Sequence, residues 1–540
     1  MKNILFSCCM LMLFSACEQR EEVDLIVSNA KVYTVNDAFD VVKGFAVKDG
    51  KIVALGGYED LHLQYKAKQS FDAKGKAIYP GFIDAHAHFY NLAMQQQRVE
   101  LTGTKSFDEV LERLKAFQEQ EQRQFIIGRG WDQNDWPNKE FPTNKALDDL
   151  FPDTPVVLTR IDGHALLANT KALQLANLNA DTEISGGQLL KHQGELTGVL
   201  IDNAMQPVQA IIPEPTRATQ IDALLAAQEI AFKNGLTSIA DAGLNKNKIE
   251  LIDSLQQADV LKVRLYAMLA NNAEEIDYFL ERGPLKTDFL NLRSVKVFAD
   301  GALGSRGAAL KQPYSDKKGH YGSMLIGISD FKALAQKLSQ SSWQMNTHAI
   351  GDSANTVVLS TYKNLLKDKP NRRWRVEHAQ VVAPQDFNYF DKNIIPSVQP
   401  THATSDMYWA KDRLGEKRLQ NAYAYKKLLE AAGLVALGTD FPIEKVNPML
   451  TFYAAVARKD LENYPTNGFQ KAQALTREEA LKGMTIWAAY ANFEEQEKGS
   501  IAVGKFADFV VLNQDLMKVS EQQLPLTRVL ATYVNGEKVY

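Results

Sequence analysis

The feature of this sequence that most constrains its fold is a series of eight short apolar runs, each typical of a buried β-strand. The gaps after the second run contain helical patterns, among them Ile249–Gln257, Phe331–Ser339 and Leu419–Ala432. Strands that alternate with helices predict a parallel sheet, and eight such units predict a closed α/β structure, the (β/α)8 TIM barrel. The predicted strands are Ala77–Ile83, Thr237–Ala240, Val263–Met268, Ser294–Phe298, Gln344–Thr347, Trp374–Glu377, Ile394–Val398 and Val435–Gly438.

Both ends of the chain are rich in strand-like segments of a different kind. These segments are Val23–Tyr33 and Gly44–Leu55 near one end, and Gly504–Leu512 and Ala531–Tyr540 near the other. Because chain termini often meet in a folded protein, the sequence predicts a small β-sandwich domain formed by both termini. The predicted bounds are 23–76 and 500–540 for this domain and 77–499 for the barrel.

The stretch between the first and second predicted strands, about 91–235, is far longer than an ordinary loop. It contains strand-like pieces of its own at Phe125–Gly128 and Pro155–Thr159. We therefore expect an inserted subdomain after barrel strand one, over the barrel mouth. Trp131 and Trp136 in this stretch either line an apolar wall of a site or pack in the core of the insertion.

Residues 1–17 have the form of a signal peptide. The apolar stretch Ile4–Phe14 is followed by the small residues Ser15 and Ala16 and then by Cys17. This end of the segment resembles a bacterial lipobox, whose cysteine becomes the lipidated first residue. We expect an exported lipoprotein on the periplasmic face of a bacterial membrane. The alternative is a soluble periplasmic or secreted protein cleaved near Ala16.

Composition excludes several classes of function. The formal net charge of −4 provides no concentrated basic surface, so we expect no nucleic-acid partner. No stretch after the leader approaches the roughly 20 apolar residues of a membrane span, so we expect membrane contact only through the lipid anchor. The three cysteines are Cys8, Cys9 and Cys17. The body of the chain therefore offers no thiolate ligand or cysteine nucleophile. The oligomeric state is open, with a homodimer as one option.

Polar side chains recur at the C-terminal ends of the predicted barrel strands, the face where barrel enzymes carry out chemistry. His86 and His88 end the first strand at a spacing that directs both side chains to one face. Imidazole and carboxylate groups suit Zn²⁺ or a similar divalent ion, so the pattern predicts a metal site. The alternatives are hydrogen-bonded structural histidines and a Lys296 that reaches the rim or pairs with Asp300. The later strands contribute Lys296 on strand four, His348 on five, His378 on six and Asp440 on eight.

This order of residues resembles the amidohydrolase superfamily, whose barrels use a His-x-His pair, a lysine, two further histidines and an aspartate. Four longer motifs resemble its third branch, which includes N-substituted formamide deformylases. The resemblance extends over about 23–540. The motifs are Gly130-Trp-Asp-Gln133, Asp162-Gly-His-Ala-Leu-Leu-Ala-Asn-Thr-Lys-Ala-Leu173, Asp300-Gly-Ala-Leu-Gly-Ser-Arg306 and Gly438-Thr-Asp-Phe-Pro442.

The resemblance implies a set of ligands and their chemistry. In related enzymes the lysine reacts with carbon dioxide to give a carbamate, so Lys296 is expected to be carboxylated and to bridge two ions. One or two divalent ions are expected, zinc first among them, with His348 and His378 on the second. The implied metal ligands are His86, His88, Lys296, His348, His378 and Asp440.

The expected function is hydrolysis of a carbon–nitrogen bond in a small non-peptide amide, by metal-activated water and with Asp440 as proton carrier. Two alternatives stay open: a cyclic amide, lactone or deaminase substrate, and an inactive exported lipoprotein that binds a solute. His402, which follows strand seven, is a further candidate to point inward. The candidate substrate contacts are Asp132, Arg160, His164, Asp300, Arg306 and Gln399.

Overall fold

The computed structural model describes residues 20–160, 165–184 and 187–540. The predictions for the leader, for lipidation of Cys17 and for His164 lie outside these residues. The chain forms two compact units. One contains residues up to 87 with 231–249 and 262–540, and the other contains 88–230 and 250–261. None of the helices in the described part of the chain combines the length and apolar character needed to span a membrane.

The first unit is built around eight parallel strands that pair in chain order from the first to the eighth. This arrangement confirms the predicted (β/α)8 barrel. One further short strand, Leu285–Lys286, pairs with the fourth barrel strand. The barrel strands are Phe82–Ala87, Leu236–Leu244, Arg264–Leu269, Leu290–Phe298, Gln344–Ala349, Trp374–His378, Ile394–Val398 and Ala436–Leu437.

The first barrel strand begins later than the sequence predicts. The apolar run is divided at Gly81: Ala77–Pro80 pairs with the terminal strands, and Phe82–Ala87 enters the barrel. The backbone N–H of Gly81 donates to the carbonyl of Asp508 at 2.9 Å. A Cβ atom at position 81 would lie 2.2 Å from the Thr237 hydroxyl. The chain therefore changes sheets at a residue where no side chain fits.

Helices follow the barrel strands, and their ends obey local rules. Ala273–Arg282, for example, begins where the Asn272 side chain accepts the backbone N–H of Glu275 at 3.1 Å, and it ends at Gly283, which has a φ of +80°. The α-helices are Lys246–Gln257, Ala273–Arg282, Ile328–Ser339, Asp352–Leu366, Pro400–Asp406, Ala410–Leu419, Tyr425–Ala432, Pro448–Ala457, Arg477–Gly483 and Ile486–Ala491. The 3-10 turns are Pro384–Tyr389, Lys471–Gln473 and Glu521–Leu526. The helix predicted from Leu419 begins instead at Tyr425, because Leu419 ends the preceding helix.

Hydrogen bonds between the eighth and first strands close the barrel at its C-terminal end. The backbone N–H of Asp440 donates to the carbonyl of His86 at 2.7 Å. The Thr439 backbone N–H and hydroxyl donate to the Asp84 carboxylate at 3.0 and 2.7 Å. A Cβ atom at Gly438 would lie 2.5 Å from the backbone nitrogen of His86. Glycine at position 438 therefore permits the close approach of the two strands.

Two β-sheets form the predicted sandwich, and one of them combines strands from both ends of the chain. Apolar side chains from both sheets, including Val27, Phe45, Phe509 and Tyr533, share one buried core. The four-stranded sheet contains Glu21–Ser28, Phe45–Lys48, Lys51–Leu55 and Tyr65–Asp72, with the helix Tyr58–Gln64. The six-stranded sheet contains Lys31–Tyr33, Val41–Val42, Ala77–Pro80, Phe509–Leu512, Val529–Val534 and Glu537–Lys538.

A buried ion pair joins the third barrel strand to the sandwich. The guanidinium of Arg264 donates from Nε to Asp508 Oδ2 at 2.6 Å and from one Nη to Oδ1 at 3.0 Å. Its Cζ lies 3.9 Å from the centroid of the Phe506 ring. Both charged side chains are almost fully buried, so each compensates the lost hydration of the other.

The second unit contains a separate six-stranded sheet, which corresponds to the predicted insertion. Trp131 and Trp136 are buried in its core with their rings 6.0 Å apart, and the Trp131 indole donates to the carbonyl of Leu158 at 2.8 Å. The strands, in spatial order, are Gly187–His192, Glu195–Asp202, Ala165–Ala168, Val156–Arg160, Ile126–Trp131 and Val99–Glu100. The helices and 3-10 turns of this part of the sequence are Phe89–Gln95, Phe107–Glu121, Gln133–Asp135, Lys145–Leu150, Thr170–Leu175, Asn203–Met205, Gln206–Ala210 and Arg217–Lys233.

Replacing Gly438 by alanine tests the closure of the barrel. We expect Gly438→Ala to reduce stability by about 1–3 kcal/mol, because the new methyl group meets backbone atoms that cannot rotate away. Thermal unfolding followed by circular dichroism measures the effect. Gly56→Ala is the matched control, since a Cβ atom there lies 3.7 Å from its nearest neighbours. Equal unfolding midpoints for the two variants would contradict the close approach at Gly438.

Candidate metal centre

The strand-end histidines and Asp440 form two groups of possible metal ligands in the described residues. The first group is His86, His88 and Asp440, and the second is His378, His402 and Asp440. Within each group the ligand atoms lie within 4.8 Å of one another. Asp440 belongs to both groups, so it lies at the centre of the candidate site.

His86 is oriented by a buried carboxylate. Its Nδ1 lies 2.6 Å from Glu377 Oε2, which leaves Nε2 facing Asp440, with Oδ1 of that residue 3.7 Å away. Burial lowers the pKa of His86 to about 4, so the imidazole is neutral at physiological pH. A neutral imidazole whose second nitrogen is held by a carboxylate is the usual form of a metal-binding histidine.

Glu377 is kept charged inside the barrel by its neighbours. Burial by itself would raise the pKa of Glu377, but the nearby charge of Arg375 and the hydrogen bond from His86 outweigh burial and hold the pKa at about 2. Arg375 Nε lies 2.7 Å from Glu377 Oε1. The sequence analysis missed this residue. The available signal was the i, i+2 spacing of Arg375 and Glu377, which places opposite charges on one face of an apolar strand.

Lys296 points into the same centre. Its side chain is buried, and Nζ lies 3.0 Å from His86 Nε2. Burial lowers the pKa of Lys296 to about 8, which raises the fraction of neutral, nucleophilic amine. Asp300, the alternative partner named above, accepts instead the backbone N–H groups of Ala309, Ile350 and Gly351 at 2.8–3.0 Å. The lysine is therefore placed beside a candidate histidine ligand, and Asp300 fixes the loops after strands four and five.

His348 and His378 lie against each other, with ring centroids 4.5 Å apart. His378 Nδ1 lies 2.7 Å from Gln399 Oε1, which leaves its Nε2 available to a metal ion. His348 Nε2 is buried and has no hydrogen-bond partner among the residues that the structure describes. Burial lowers the pKa of His348 to about 3. Neutral, desolvated imidazoles of this kind fit a divalent cation, which would replace the missing polar partner.

The backbone at two of these residues is strained. His378 has a φ of +70° and Asp440 a φ of +64°, in the left-handed region that non-glycine residues seldom adopt. Such conformations cost about 1–3 kcal/mol and persist where the surroundings impose them. His378 ends the sixth barrel strand, and Asp440 lies three residues beyond the eighth, so both strained residues lie at the C-terminal face of the barrel.

The candidate substrate residues have partners within the protein. Arg306 donates to both oxygens of Asp316 at 3.1 and 2.9 Å, and Gln399 orients His378. In the second unit Arg160 donates to Asp132 at 2.5 Å. The roles of these residues and of Asp300 in substrate binding stay predictions.

Phe298 provides an apolar surface beside the site. It lies two residues after Lys296 on the fourth strand, its ring centroid is 5.3 Å from that of His348, and 46% of its surface is exposed. Exposed aromatic rings next to polar groups are typical of small-molecule pockets. The sequence analysis did not single out Phe298, although its i, i+2 spacing from Lys296 directs both side chains to one face.

Known proteins are similar to this chain over most of its length. A model of the amidohydrolase family matches residues 69–540. The putative amidohydrolase YtcJ of Bacillus subtilis (strain 168) is 32% identical over 518 residues, which cover 94% of this chain and 98% of the relative. The N-substituted formamide deformylase of Arthrobacter pascens is 26% identical over 539 residues, which cover 95% and 97% respectively.

A solved structure shows a similar fold. The uncharacterized metal-dependent hydrolase from Pyrococcus horikoshii OT3 is 28% identical, with a TM-score of 0.77 over 92% of this chain and 99% of that one. The family match includes all the described metal-ligand candidates, from His86 to Asp440. On the match to the family model and the similarity to YtcJ, this chain belongs to the amidohydrolase family.

Proposed function

We propose that this protein hydrolyses carbon–nitrogen bonds of small, non-peptide amides with the help of a bound divalent cation. The observation that carries the proposal is the convergence of His86, His378 and Asp440 from three separate barrel strands onto one centre. Their donor atoms suit zinc, and one or two ions fit the two groups of ligands. A divalent cation, when bound, lowers the pKa of water and polarises a carbonyl group.

Asp440 is the proposed proton carrier. Its carboxylate lies between the two ligand groups, with Oδ1 3.7 Å from His86 Nε2 and Oδ2 3.3 Å from His402 Nε2. From this position Asp440 accepts a proton from the attacking water and later donates it to the leaving nitrogen. The neutral imidazoles nearby orient the carbonyl group and exclude bulk water.

Lys296 is the proposed site of a carbamate. Its neutral amine attacks carbon dioxide, a nitrogen–carbon bond forms, and one proton leaves the nitrogen, which gives an anionic N-carboxylate. This group adds two oxygen donors next to His86. The 3.0 Å separation of Nζ from His86 Nε2 supports the placement of those donors within the metal centre.

The proposed substrate is a short acyl amide with an apolar substituent on nitrogen. The Arthrobacter pascens relative is named as a deformylase of N-substituted formamides, which are amides of this class. The exposed ring of Phe298 beside His348 supports an apolar group close to the reacting bond. We further propose that the protein is exported and anchored by a lipid at Cys17.

Metal removal and a panel of substrates test the proposed reaction. We expect chelation followed by gel filtration to abolish hydrolysis, and Zn²⁺ with bicarbonate to restore it, because the cation activates water and carbon dioxide supplies the carbamate. The panel contains N-benzylformamide, N-acyl amines, a hydantoin and a lactone, assayed by release of amine or acid. The formamide should react fastest. Activity that survives complete metal removal, or a reaction with the lactone alone, contradicts the proposal.

Replacing Asp440 by asparagine removes the proton carrier while keeping its size. We expect Asp440→Asn to lower kcat by about 10²–10⁴-fold, with at least one metal ion retained by the histidines. Steady-state kinetics and metal analysis on the same sample measure both quantities. Asp277→Asn, at an exposed position of the helix Ala273–Arg282, is the matched control and should react at the wild-type rate. Wild-type turnover by Asp440→Asn excludes Asp440 as the proton carrier.

Radiolabelled palmitate tests the proposed anchor. The full chain, expressed in a bacterial host, should incorporate the label and sediment with membranes. Cys17→Ser should lose both properties, because the thiol that accepts the lipid is absent. Cys9→Ser, which changes a cysteine within the leader, should keep them. Labelling that is independent of Cys17 refutes this anchor.

A further inference from the structure

The two oxygens of Asp440 face two different histidines. Oδ1 is 3.7 Å from His86 Nε2, and Oδ2 is 3.3 Å from His402 Nε2. His402 lies in the first turn of the helix Pro400–Asp406, after the seventh strand, and its side chain is 15% exposed. The ligand set implied by the family resemblance contains no residue from this strand. His402 thus adds a donor that the resemblance does not explain.

The distance between His402 and Asp440 fits two ligands of one ion. Donors bound at about 2.0–2.1 Å to a tetrahedral zinc ion lie about 3.3–3.5 Å apart. Hydrogen bonds between nitrogen and oxygen most often measure about 2.9–3.0 Å. The observed 3.3 Å is long for a hydrogen bond and matches the separation of two metal ligands.

Neighbouring polar groups contact both histidines of the second group. Gln399 holds Nδ1 of His378 through its Oε1 at 2.7 Å, and its backbone carbonyl accepts the N–H of His402 at 3.1 Å. On its other side, His402 Nδ1 faces Glu444 Oε1 at 3.5 Å. Histidine ligands commonly have a carboxylate or carbonyl oxygen at the nitrogen that does not bind the metal. Both histidines here have such an oxygen.

The expected role of His348 as a ligand of the second ion stays a prediction. Among the described residues it belongs to neither group of converging ligand atoms, although its ring lies next to that of His378. The second group contains His402 together with His378 and Asp440. The segment after strand seven therefore places an imidazole among converging ligand atoms.

We infer that His402 is a ligand of a second divalent cation, which it holds together with His378 and Asp440, next to a first cation at His86. The inference rests on the proposed metal-dependent function and adds a ligand to it. Asp440 would then be shared by the two groups of ligands, since its Oδ1 faces His86 and its Oδ2 faces His402. An ionised carboxylate has about four lone-pair positions, which would allow it to serve both groups.

Two substitutions at position 402 test whether His402 is a metal ligand or only a hydrogen-bond donor to Asp440. Glutamate carries a charged oxygen that binds metal, whereas glutamine of the same length binds metal poorly but can donate a hydrogen bond to Asp440. If His402 is a ligand, His402→Glu keeps the second cation and His402→Gln loses it. If His402 only positions Asp440, the glutamine variant keeps the second cation and the glutamate variant, which repels Asp440, loses it.

The measurement is the number of Zn²⁺ ions bound per full-length chain, by calorimetric titration of chelator-treated protein and elemental analysis after gel filtration. We expect two ions for the wild type and for His402→Glu, and one for His402→Gln, whose remaining ion binds with a Kd within about twofold of the wild-type value. His62→Gln is the matched control, since His62 is partly exposed and its Nδ1 lies 2.9 Å from the carbonyl of Tyr58 in its own helix. It should bind two ions.

Three results overturn the inference. They are a wild type that binds a single ion, a His402→Gln variant that keeps both, and loss of the second ion from both variants at position 402. Circular dichroism verifies that each variant is folded. The readout is metal content, so failure of this inference is distinct from failure of the proposed reaction, which would appear as two bound ions without turnover on the substrate panel.

Discussion

The hydrogen bonds between the eighth and first barrel strands are the constraint on which the site depends. Closure brings the backbone of Asp440 onto the carbonyl of His86 and buries Asp84 under Thr439. These contacts join residues about 350 positions apart in the chain. Without them Asp440 would have no fixed relation to the histidines of the other strands, since the eighth strand has only two residues in the sheet. A short strand held by side-chain hydrogen bonds thus sets the position of the central carboxylate.

The orientation of His86 and the stability of the core depend on the same buried contacts. Arg375, Glu377 and His86 form a continuous chain of contacts inside the barrel, and none of the three side chains is exposed. Removing one partner from a buried ion pair costs about 3–5 kcal/mol, because an uncompensated charge is left behind. A substitution at Glu377 therefore affects both folding and the orientation of His86. Activity lost through Glu377 cannot by itself be assigned to chemistry.

Much of the architecture could be predicted from the sequence, because apolar strands that alternate with helices have few alternative folds. The eight predicted strands indicated which residues lie near the strand ends, and His86, His378 and Asp440 do converge. Glu377 could not be predicted in the same way, since its role depends on a histidine 291 positions away. The start of the first barrel strand was predicted wrongly, because Ala77–Ile83 is apolar throughout and only the close approach at Gly81 separates its two halves.

The arrangement of neutral imidazoles gives a physical reason for the centre to bind a cation. His86, His348 and His378 are crowded together and buried, and Nε2 of His348 lacks a hydrogen-bond partner among the described residues. A buried polar group without a partner costs about 1–3 kcal/mol. Strain at His378 and Asp440 adds to that cost. A cation bound at this centre would supply the missing partner of His348 Nε2. Metal binding should therefore stabilise the folded barrel, because a ligand that binds only the folded state shifts the equilibrium towards it.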